Sequence, residues 1–387
     1  MPIRNRIAEL QDEITGWRRD FHENPELLFD VHRTAGIVAD KLREFGCDEV
    51  VTGIGRTGVV GVIKGKSQTS GRTIGLRADM DALPINESTG LDYASKTPGL
   101  MHACGHDGHT AMLLGAAKYL AETRNFNGTV VVLFQPAEEG GGGGREMVED
   151  GAMDRWSIDE VYGMHNMPGL PLGSFHIRSG ALMAATDEFE IDVLGKGAHA
   201  AKPHEGIDPT VIASQIVLGL QTIASRFTDP MKQVVVSVCA FATDSMAFNV
   251  IPQKVTMKGT VRTLDSDVRD QAEKLVRQIV PGIAASFGAT AEVDYQRGYP
   301  VTVNSAEHTE YAAQAARKVA GDVDTDTPPL MGAEDFSYML NARPGAYIFM
   351  GNGDTAMVHH PSYNFDDAAI PSGVSWFAEL VEQRLAD

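Results

Sequence analysis

The chain has few cysteines and no long apolar run, and each shortage excludes a class of protein. Three cysteines, Cys47, Cys104 and Cys239, are too few and too scattered for a disulfide framework, which favours a reducing compartment. No apolar stretch approaches the roughly 20 residues that a membrane span needs. The N-terminal residues 1–17 read as an amphipathic helix and not as a secretory signal. We therefore expect a cytoplasmic protein.

Positive charge is also scarce. The 33 lysines and arginines are outnumbered by 52 aspartates and glutamates, which gives a formal net charge of -19. Such a chain is not expected to grip nucleic acid or an anionic membrane surface, because both carry negative charge themselves. A protein that acts on small molecules fits this composition better.

The first half of the chain alternates β-branched runs with helical patterns. Strands are predicted at 58–63, 73–77, 129–135 and 159–165, and a helix is predicted at 107–124. Alternation of this kind is typical of βαβ units, in which helices cover a largely parallel sheet. We therefore predict the α/β class for this part of the chain.

The pattern changes after residue 184. Strands at 188–194, 233–240, 254–263 and 290–296 and helices at 208–227 and 267–287 follow in the order βαββαβ, which predicts a compact inserted unit. The last ninety residues return to the first pattern, with a helix at 309–320, a strand at 346–350 and a helix from 372. The predicted organisation is a discontinuous domain of residues 1–184 and 298–387, interrupted by a domain of residues 185–297.

Polar residues follow several of the predicted strands of the larger domain. Ligands bind beyond the carboxyl ends of the strands in open α/β sheets, so these positions are candidates for a site. They are Asp79, Asp81, Glu138, Glu139, His165, His359 and His360.

The densest of the candidate segments is Met101–Thr110, with the sequence MHACGHDGHT. Three of the 12 histidines of the chain and one cysteine lie within residues 102–109. Cys104 precedes the predicted helix, and the positive end of a helix dipole favours a thiolate there. A thiolate either binds a metal ion or attacks a carbonyl group, and a buried structural cysteine is the alternative to both.

Two adjacent carboxylates, Glu138 and Glu139, follow the strand predicted at 129–135. One could bind a metal ion while its neighbour takes a proton from the attacking water. A solvated acidic loop is the alternative. The five glycines at 140–144 are not followed by Lys-Ser or Lys-Thr, which argues against a phosphate-binding loop.

Two single histidines, His165 and His359, are weak signals by themselves. Together with the cysteine segment and the paired glutamates they give a mixed set of sulfur, nitrogen and oxygen donors. Such a set suits zinc, manganese or a similar divalent ion. The combination predicts a metal centre more strongly than any of its members.

Nine runs of sequence also resemble a known family. In chain order they are LRADMDALPI, MHACGHDGHT, QPAEEG, GMHNMP, GKGAHAAKPHEGIDP, FNVIP, GTVRT, GAEDFS and HHPSYNF. They resemble the hippurate hydrolase and indoleacetyl-amino acid hydrolase branch of the metallo-aminoacylase and glutamate carboxypeptidase superfamily, across almost the whole chain. The resemblance implies a zinc-peptidase-like catalytic domain with a mostly parallel central sheet. It also implies that a ferredoxin-like βαββαβ domain interrupts this domain, acts as a lid and forms a homodimer interface.

The resemblance implies two divalent metal ions per subunit. Cys104 resembles the ligand that bridges the ions, His106 and His165 resemble the further ligands of one ion, and Glu139 and His359 resemble those of the other. Manganese or zinc is expected, and nickel or cobalt remains open.

Two further roles follow from the resemblance, together with one departure from it. Glu138 resembles the general base, and we interpret Asp81 as a residue that orients a ligand histidine. Most of the superfamily has a His-x-Asp pair and a bridging aspartate where this chain has Asp79-Met-Asp81 and Cys104. A thiolate bridge is softer than a carboxylate bridge, which leaves the identity of the metal open.

Three residues of the interrupting domain match the family as well. His199 resembles a residue that polarises the scissile carbonyl, often in the partner subunit, and Asn249 and Arg262 resemble residues that hold the polar or carboxylate end of the substrate. An edge histidine, a turn asparagine and a solvated arginine are the structural alternatives.

The expected activity is metal-dependent hydrolysis of the amide bond of N-acyl amino acids, which releases a carboxylic acid and a free amino acid. Two other functions are compatible with the residues. One is a cysteine hydrolase with Cys104 as nucleophile, and the other is a non-catalytic metal-dependent binding protein. The preferred acyl group and amino acid are left open.

Overall fold

The computed structural model describes residues 5–386; residues 1–4, where the predicted N-terminal helix begins, and residue 387 lie outside this part. The helices are α1 Asn5–Glu23, α2 His32–Glu44, α3 His106–Thr123, α4 Gly143–Glu149, α5 Ala152–Arg155, α6 Pro209–Thr222, α7 Ser266–Ser286, α8 Ala306–Ala320, α9 Ser337–Ala342 and α10 Ile370–Arg384. The strands are β1 Glu49–Ile54, β2 Gly58–Lys64, β3 Thr73–Asp79, β4 Thr129–Gln135, β5 Glu160–Met167, β6 Phe175–His176, β7 Gly180–Met183, β8 Ala185–Leu194, β9 Ala198–His199, β10 Val234–Thr243, β11 Val250–Ile251, β12 Lys254–Thr263, β13 Thr290–Arg297, β14 Thr302–Asn304, β15 Val323–Asp324 and β16 Gly345–Gly351.

The chain forms two compact units. The first contains the described parts of Met1–Leu182 and Asp335–Asp387, together with Val303–Pro328. The second contains Met183–Thr302 and the short segment Pro329–Glu334. Each unit has a hydrophobic core of its own.

The first unit is built on an eight-stranded sheet with the strand order β1-β2-β4-β3-β5-β16-β6-β15. The central strands β4, β3, β5 and β16 are parallel to one another. The predicted α/β class with a mostly parallel central sheet is therefore confirmed. The antiparallel pairs of β1 with β2 and of β2 with β4 were not predicted.

Burial explains why these segments form strands and helices. In β4, every residue after Thr129 is buried, as expected for a strand that is covered on both faces. Helix α3 is buried on nearly all sides and lies against α1, α10 and β3. None of the helices within residues 5–386 is long and apolar enough to cross a membrane.

The parallel strands place their carboxyl ends at one edge of the sheet. β3 ends at Asp79, β4 ends at Gln135 and β5 ends at Met167. The connections that leave these three ends carry most of the polar residues that the sequence marks as candidates. Side chains from segments far apart in sequence therefore meet at this edge.

The second unit is an antiparallel four-stranded sheet with the order β10-β12-β8-β13. Its main elements follow one another in the order β8, α6, β10, β12, α7, β13. Helices α6 and α7 pack on the sheet through an apolar cluster that includes Ile191, Ile216, Met257 and Val276. A separate two-stranded antiparallel sheet pairs β9 with β11.

Candidate metal centre

Five predicted ligand residues meet at the carboxyl edge of the large sheet in two groups of three. The potential ligand atoms of Cys104, His106 and His165 all lie within 4.8 Å of one another. The same distance holds for those of Cys104, Glu139 and His359. Cys104 belongs to both groups, so its sulfur is placed where one atom could bridge two ions.

The distances within this cluster fit a compact centre. The Cys104 sulfur lies 3.4 Å from Nε2 of His165. Nε2 of His359 lies 3.4 Å from Oε1 of Glu139, and Nε2 of His106 lies 3.9 Å from the same oxygen. The two separations of 3.4 Å are those expected for a pair of ligands that each lie about 2.0–2.3 Å from one shared ion.

The segment before α3 gives the cluster its shape. Gly105 precedes the helix with a φ of 92°, in the left-handed region that favours glycine. A Cβ atom at this position would lie only 2.2 Å from Nδ2 of Asn166. The backbone N–H of His359 donates to the carbonyl of Ala103 at 2.7 Å, which joins the C-terminal ligand to the same segment.

Asp81 connects three parts of the centre. Its carboxylate accepts the backbone N–H of Glu138 at 2.9 Å and that of Glu139 at 3.1 Å. Nδ1 of His106 lies 2.8 Å from the backbone oxygen of Asp81 and donates to it. The other ring nitrogen of His106 is thereby directed towards the cluster.

That nitrogen tests whether the cluster fits a metal ion. Nε2 of His106 is buried and has no hydrogen-bond partner within residues 5–386. A buried polar atom without a partner is costly, and a cation beside Cys104 and His165 would satisfy this one. The donor set of thiol, imidazole and carboxylate also suits a divalent ion. The residues therefore fit the group that the sequence predicts.

The charge of the cluster changes one expectation. Burial, together with the carboxylates of Glu139, Glu138 and Asp79, raises the pKa of the Cys104 thiol well above its ordinary value. The start of α3 was expected to favour the thiolate, but burial and the surrounding negative charge outweigh its effect on the pKa of Cys104. Burial also lowers the pKa of His165 to about 3, so this ring is neutral. A thiolate therefore requires cations in the cluster.

Glu138 lies beside the cluster and not in either group that contains Cys104. Its Oε2 is 3.9 Å from Nε2 of His106, and the side chain is 9% exposed. Glu138, Glu139 and His106 form another group of close potential ligand atoms. The two neighbouring carboxylates thus differ in position, since only Glu139 is close to both Cys104 and His359.

The three candidates of the interrupting segment lie in the second unit. His199 is in β9, paired with Val250 of β11, and the N–H of Ala200 donates to the carbonyl of Asn249. His199 and Asn249 therefore lie beside each other at this small two-stranded sheet. Arg262 lies in β12, on the four-stranded sheet.

Other residues of the marked segments were not assigned roles from the sequence. His102 is buried, and neither of its ring nitrogens has a hydrogen-bond partner in the described part of the chain. His109 pairs with Asp79, while Asn166 and Tyr363 contact each other beside Cys104. Their presence in the dense motifs was the only signal in the sequence, since their partners are distant along the chain.

Thiol, imidazole and carboxylate donors gathered at the strand ends of an α/β sheet suit a metal-dependent hydrolase. Residues 75–383 match the model of peptidase family M20/M25/M40, and the chain belongs to this family.

Known proteins resemble the chain over nearly its full length. It is 44% identical to the hippurate hydrolase of Campylobacter jejuni, over 98% of both chains. It is 42% identical to an N-acetyl-L-cysteine deacetylase of Bacillus subtilis, over 98% of this chain and 90% of that one. The crystal structure of the YXEP protein of Bacillus subtilis, described as a dinuclear metal binding peptidase of the M20 family, matches with a TM-score of 0.85. Their identity is 36%, over 98% of this chain and 99% of the other.

Proposed function

We propose that the protein is a metal-dependent amidohydrolase that cleaves the amide bond of N-acyl amino acids, releasing a carboxylic acid and a free amino acid. The observation that carries the proposal is the pair of ligand groups that share Cys104. The names of the relatives, a hippurate hydrolase and an N-acetyl-L-cysteine deacetylase, support the choice of substrate class.

The proposed centre holds two divalent ions. Cys104 would be the ligand common to both ions, His106 and His165 would hold one ion, and Glu139 and His359 would hold the other. Such ions lower the pKa of water and polarise a carbonyl group. Manganese or zinc suits the mixed donor set, and nickel and cobalt are also compatible with it.

Glu138 is proposed as the general base. Its backbone is held by the carboxylate of Asp81, which fixes the start of the side chain at the edge of the cluster. From there Glu138 takes a proton from the attacking water and returns it to the leaving amine. Glu139 is proposed as a metal ligand, so the two neighbouring acids have different roles.

Residues of the second unit are proposed to act on the substrate. Nδ1 of His199 accepts the N–H of Ala201 at 3.1 Å, so the proton of a neutral ring is on Nε2, ready for the oxygen of the scissile carbonyl. The side chain of Arg262 is half-buried and has no hydrogen-bond or ion-pair partner among the residues described, which leaves its guanidinium for the carboxylate of the substrate. Asn249 is proposed to bind a polar group of the substrate.

We propose that residues 1–184 and 298–387 form the catalytic domain and that residues 185–297 form a lid that joins two subunits. β10 is an edge strand with exposed Val235 and Phe241. In the following loop, Met246 is 91% exposed and Phe248 is fully exposed. Exposed edge strands and apolar side chains of this size are typical of surfaces that pair with another chain.

The free state of all three cysteines supports a cytoplasmic location.

Metal removal and reconstitution test the proposed function. The purified protein is stripped with a chelator, reloaded with each divalent metal in turn, and assayed with hippurate and with N-acetyl and indoleacetyl amino acids. We expect activity to disappear on chelation and to return with metal. An acyl-enzyme trapped on Cys104 would favour the cysteine hydrolase instead. A loaded protein without activity on the whole panel would favour a binding protein.

A further inference from the structure

We propose that four buried residues outside the ligand set, Asp79, His109, Asn166 and Tyr363, form a support chain that positions Cys104 relative to His165. The inference rests on the proposed function, because it presupposes that Cys104 and His165 bind a metal ion. It assigns a positioning role to four residues, each from a different sequence motif, that have no role in the proposed chemistry.

The support chain begins at Asp79. Nδ1 of His109 donates to Oδ1 of Asp79 at 2.7 Å, and Arg77 donates to the other oxygen at the same distance. Nε2 of His109 accepts the backbone N–H of Asn166 at 2.9 Å. Because a backbone N–H can only donate, Nε2 carries no proton and the tautomer of His109 is fixed.

Asn166 is the centre of the support chain. Its Nδ2 donates to the carbonyl of Cys104 at 2.6 Å, and its Oδ1 accepts the hydroxyl of Tyr363 at 2.7 Å. A carbonyl oxygen can only accept, so the orientation of the amide is determined. The backbone oxygen of Asn166 accepts Nδ1 of His165 at 2.5 Å, which directs Nε2 of that ring to the Cys104 sulfur. One residue therefore holds both ligands.

Packing leaves this arrangement little freedom. Asp79, Asn166 and Tyr363 have no exposed surface and His109 is 2% exposed, so bulk water cannot replace a lost hydrogen bond. A Cβ atom at Gly105 would lie 2.2 Å from Nδ2 of Asn166 and 2.4 Å from the hydroxyl oxygen of Tyr363. The backbone at Gly105, next to Cys104, therefore packs closely against the side-chain amide of Asn166.

The test is Tyr363→Phe, which removes one hydroxyl group and leaves Oδ1 of Asn166 without its donor. Co²⁺ is titrated into the metal-free protein, and both the affinity and the thiolate-to-cobalt absorption band are measured. We expect the affinity to fall about 10- to 100-fold, the usual effect of losing a group that orients a ligand. The absorption band should shift, because the thiolate is no longer held in one position.

Tyr162→Phe is the matched control. Tyr162 is also fully buried, and its hydroxyl makes a hydrogen bond of 3.1 Å to Glu160, away from the ligands. This variant should unfold more easily but bind Co²⁺ with the affinity and absorption band of the wild type. Asn166→Ala is the second test of the support chain, and it should weaken Co²⁺ binding at least as much as Tyr363→Phe. It replaces Tyr363→Phe as the deciding variant if that protein does not fold.

The outcomes separate this inference from the proposed function. If the wild type binds Co²⁺ and the support-chain variants bind it equally tightly with an unchanged absorption band, the support chain has no positioning role. If the wild type itself binds no divalent ion, the metal centre is wrong and the inference falls with it.

Discussion

Asp81→Asn tests whether the metal centre depends on a residue that is not itself a ligand. The two oxygens of Asp81 accept the backbone N–H groups of Glu138 and Glu139 at 2.9 Å and 3.1 Å. Asparagine has the same size but only one side-chain oxygen. One of the two N–H groups would therefore face an NH₂ group, which cannot accept it.

The magnitude follows from this loss. A hydrogen bond to a charged group contributes about 1.5–3 kcal/mol, and Asp81 is 1% exposed, so water cannot substitute for it. We expect the free energy of unfolding of the metal-free protein to fall by about 2 kcal/mol. Because the carboxylate of Asp81 also lies 3.5 Å from Nδ1 of His106 and holds the backbone of Glu139, the affinity for Mn²⁺ should fall about 10- to 100-fold.

Denaturant unfolding and calorimetric titration with Mn²⁺ measure the two effects. Asp159→Asn is the control: Asp159 accepts the N–H of Thr73 through one oxygen, and asparagine can keep that bond. This control should change neither quantity greatly. Binding of Mn²⁺ by Asp81→Asn at wild-type affinity, or an equal loss in Asp159→Asn, would refute the reasoning.

Three further predictions concern the proposed base, His199 and the dependence of stability on pH. Glu138→Gln should retain its metal and lose about 100-fold or more in kcat, whereas Glu139→Gln should lose metal as well as kcat. Elemental analysis and turnover rates distinguish the two variants. The reverse pattern would exchange the roles of the two glutamates. His199→Ala should lower kcat about 100-fold at unchanged metal content, and mixing it with Glu138→Gln subunits should restore activity if the histidine acts across the dimer. Burial opposes ionisation of Glu160, but hydrogen bonds, the largest of them from His308, outweigh it and lower the pKa to about 2 from 4.5. Ionised Glu160 therefore stabilises the folded protein by at most about 3 kcal/mol; this contribution is complete above pH 4.5 and disappears as the pH falls towards 2. The difference in unfolding free energy between wild type and Glu160→Gln, measured by denaturant unfolding, should narrow over that range. A constant difference would contradict this assignment.

The fold could be predicted where burial imposes a clear pattern. β4 is buried over nearly its whole length and its sequence is an almost continuous apolar run, and β5 is equally buried with the apolar residues 161–164 at its centre. β1 gives a weaker signal, because it lies at the edge of the sheet and Ile54 is its one buried residue. The segment Pro329–Glu334 belongs to the second unit although it follows α8 of the first, and no change of composition marks it. Its placement depends on tertiary contacts alone.

The candidate ligands could be predicted because they end strands or precede a helix, but the division of labour among the histidines could not. His106 and His109 are three residues apart, so they lie on neighbouring parts of one face of α3. His106 joins the group with Cys104, whereas His109 pairs with Asp79. Asp79 is nearly thirty residues earlier in the chain, and only the position of β3 beside α3 decides which histidine it receives.

The distribution of charge explains why a thiol suits position 104, which belongs to both groups of potential ligands. The fold supplies its own donors to the outer carboxylates: Asp79 receives Arg77 and His109, and Asp81 receives two backbone N–H groups. Cys104 is different, because it is buried among carboxylates that raise its pKa. A carboxylate in its place would add a further buried negative charge to the metal-free protein, whereas a thiol stays neutral until a cation displaces its proton. At this proposed ligand position the cysteine therefore adds no negative charge of its own to the metal-free protein, and it would become anionic only when metal binds.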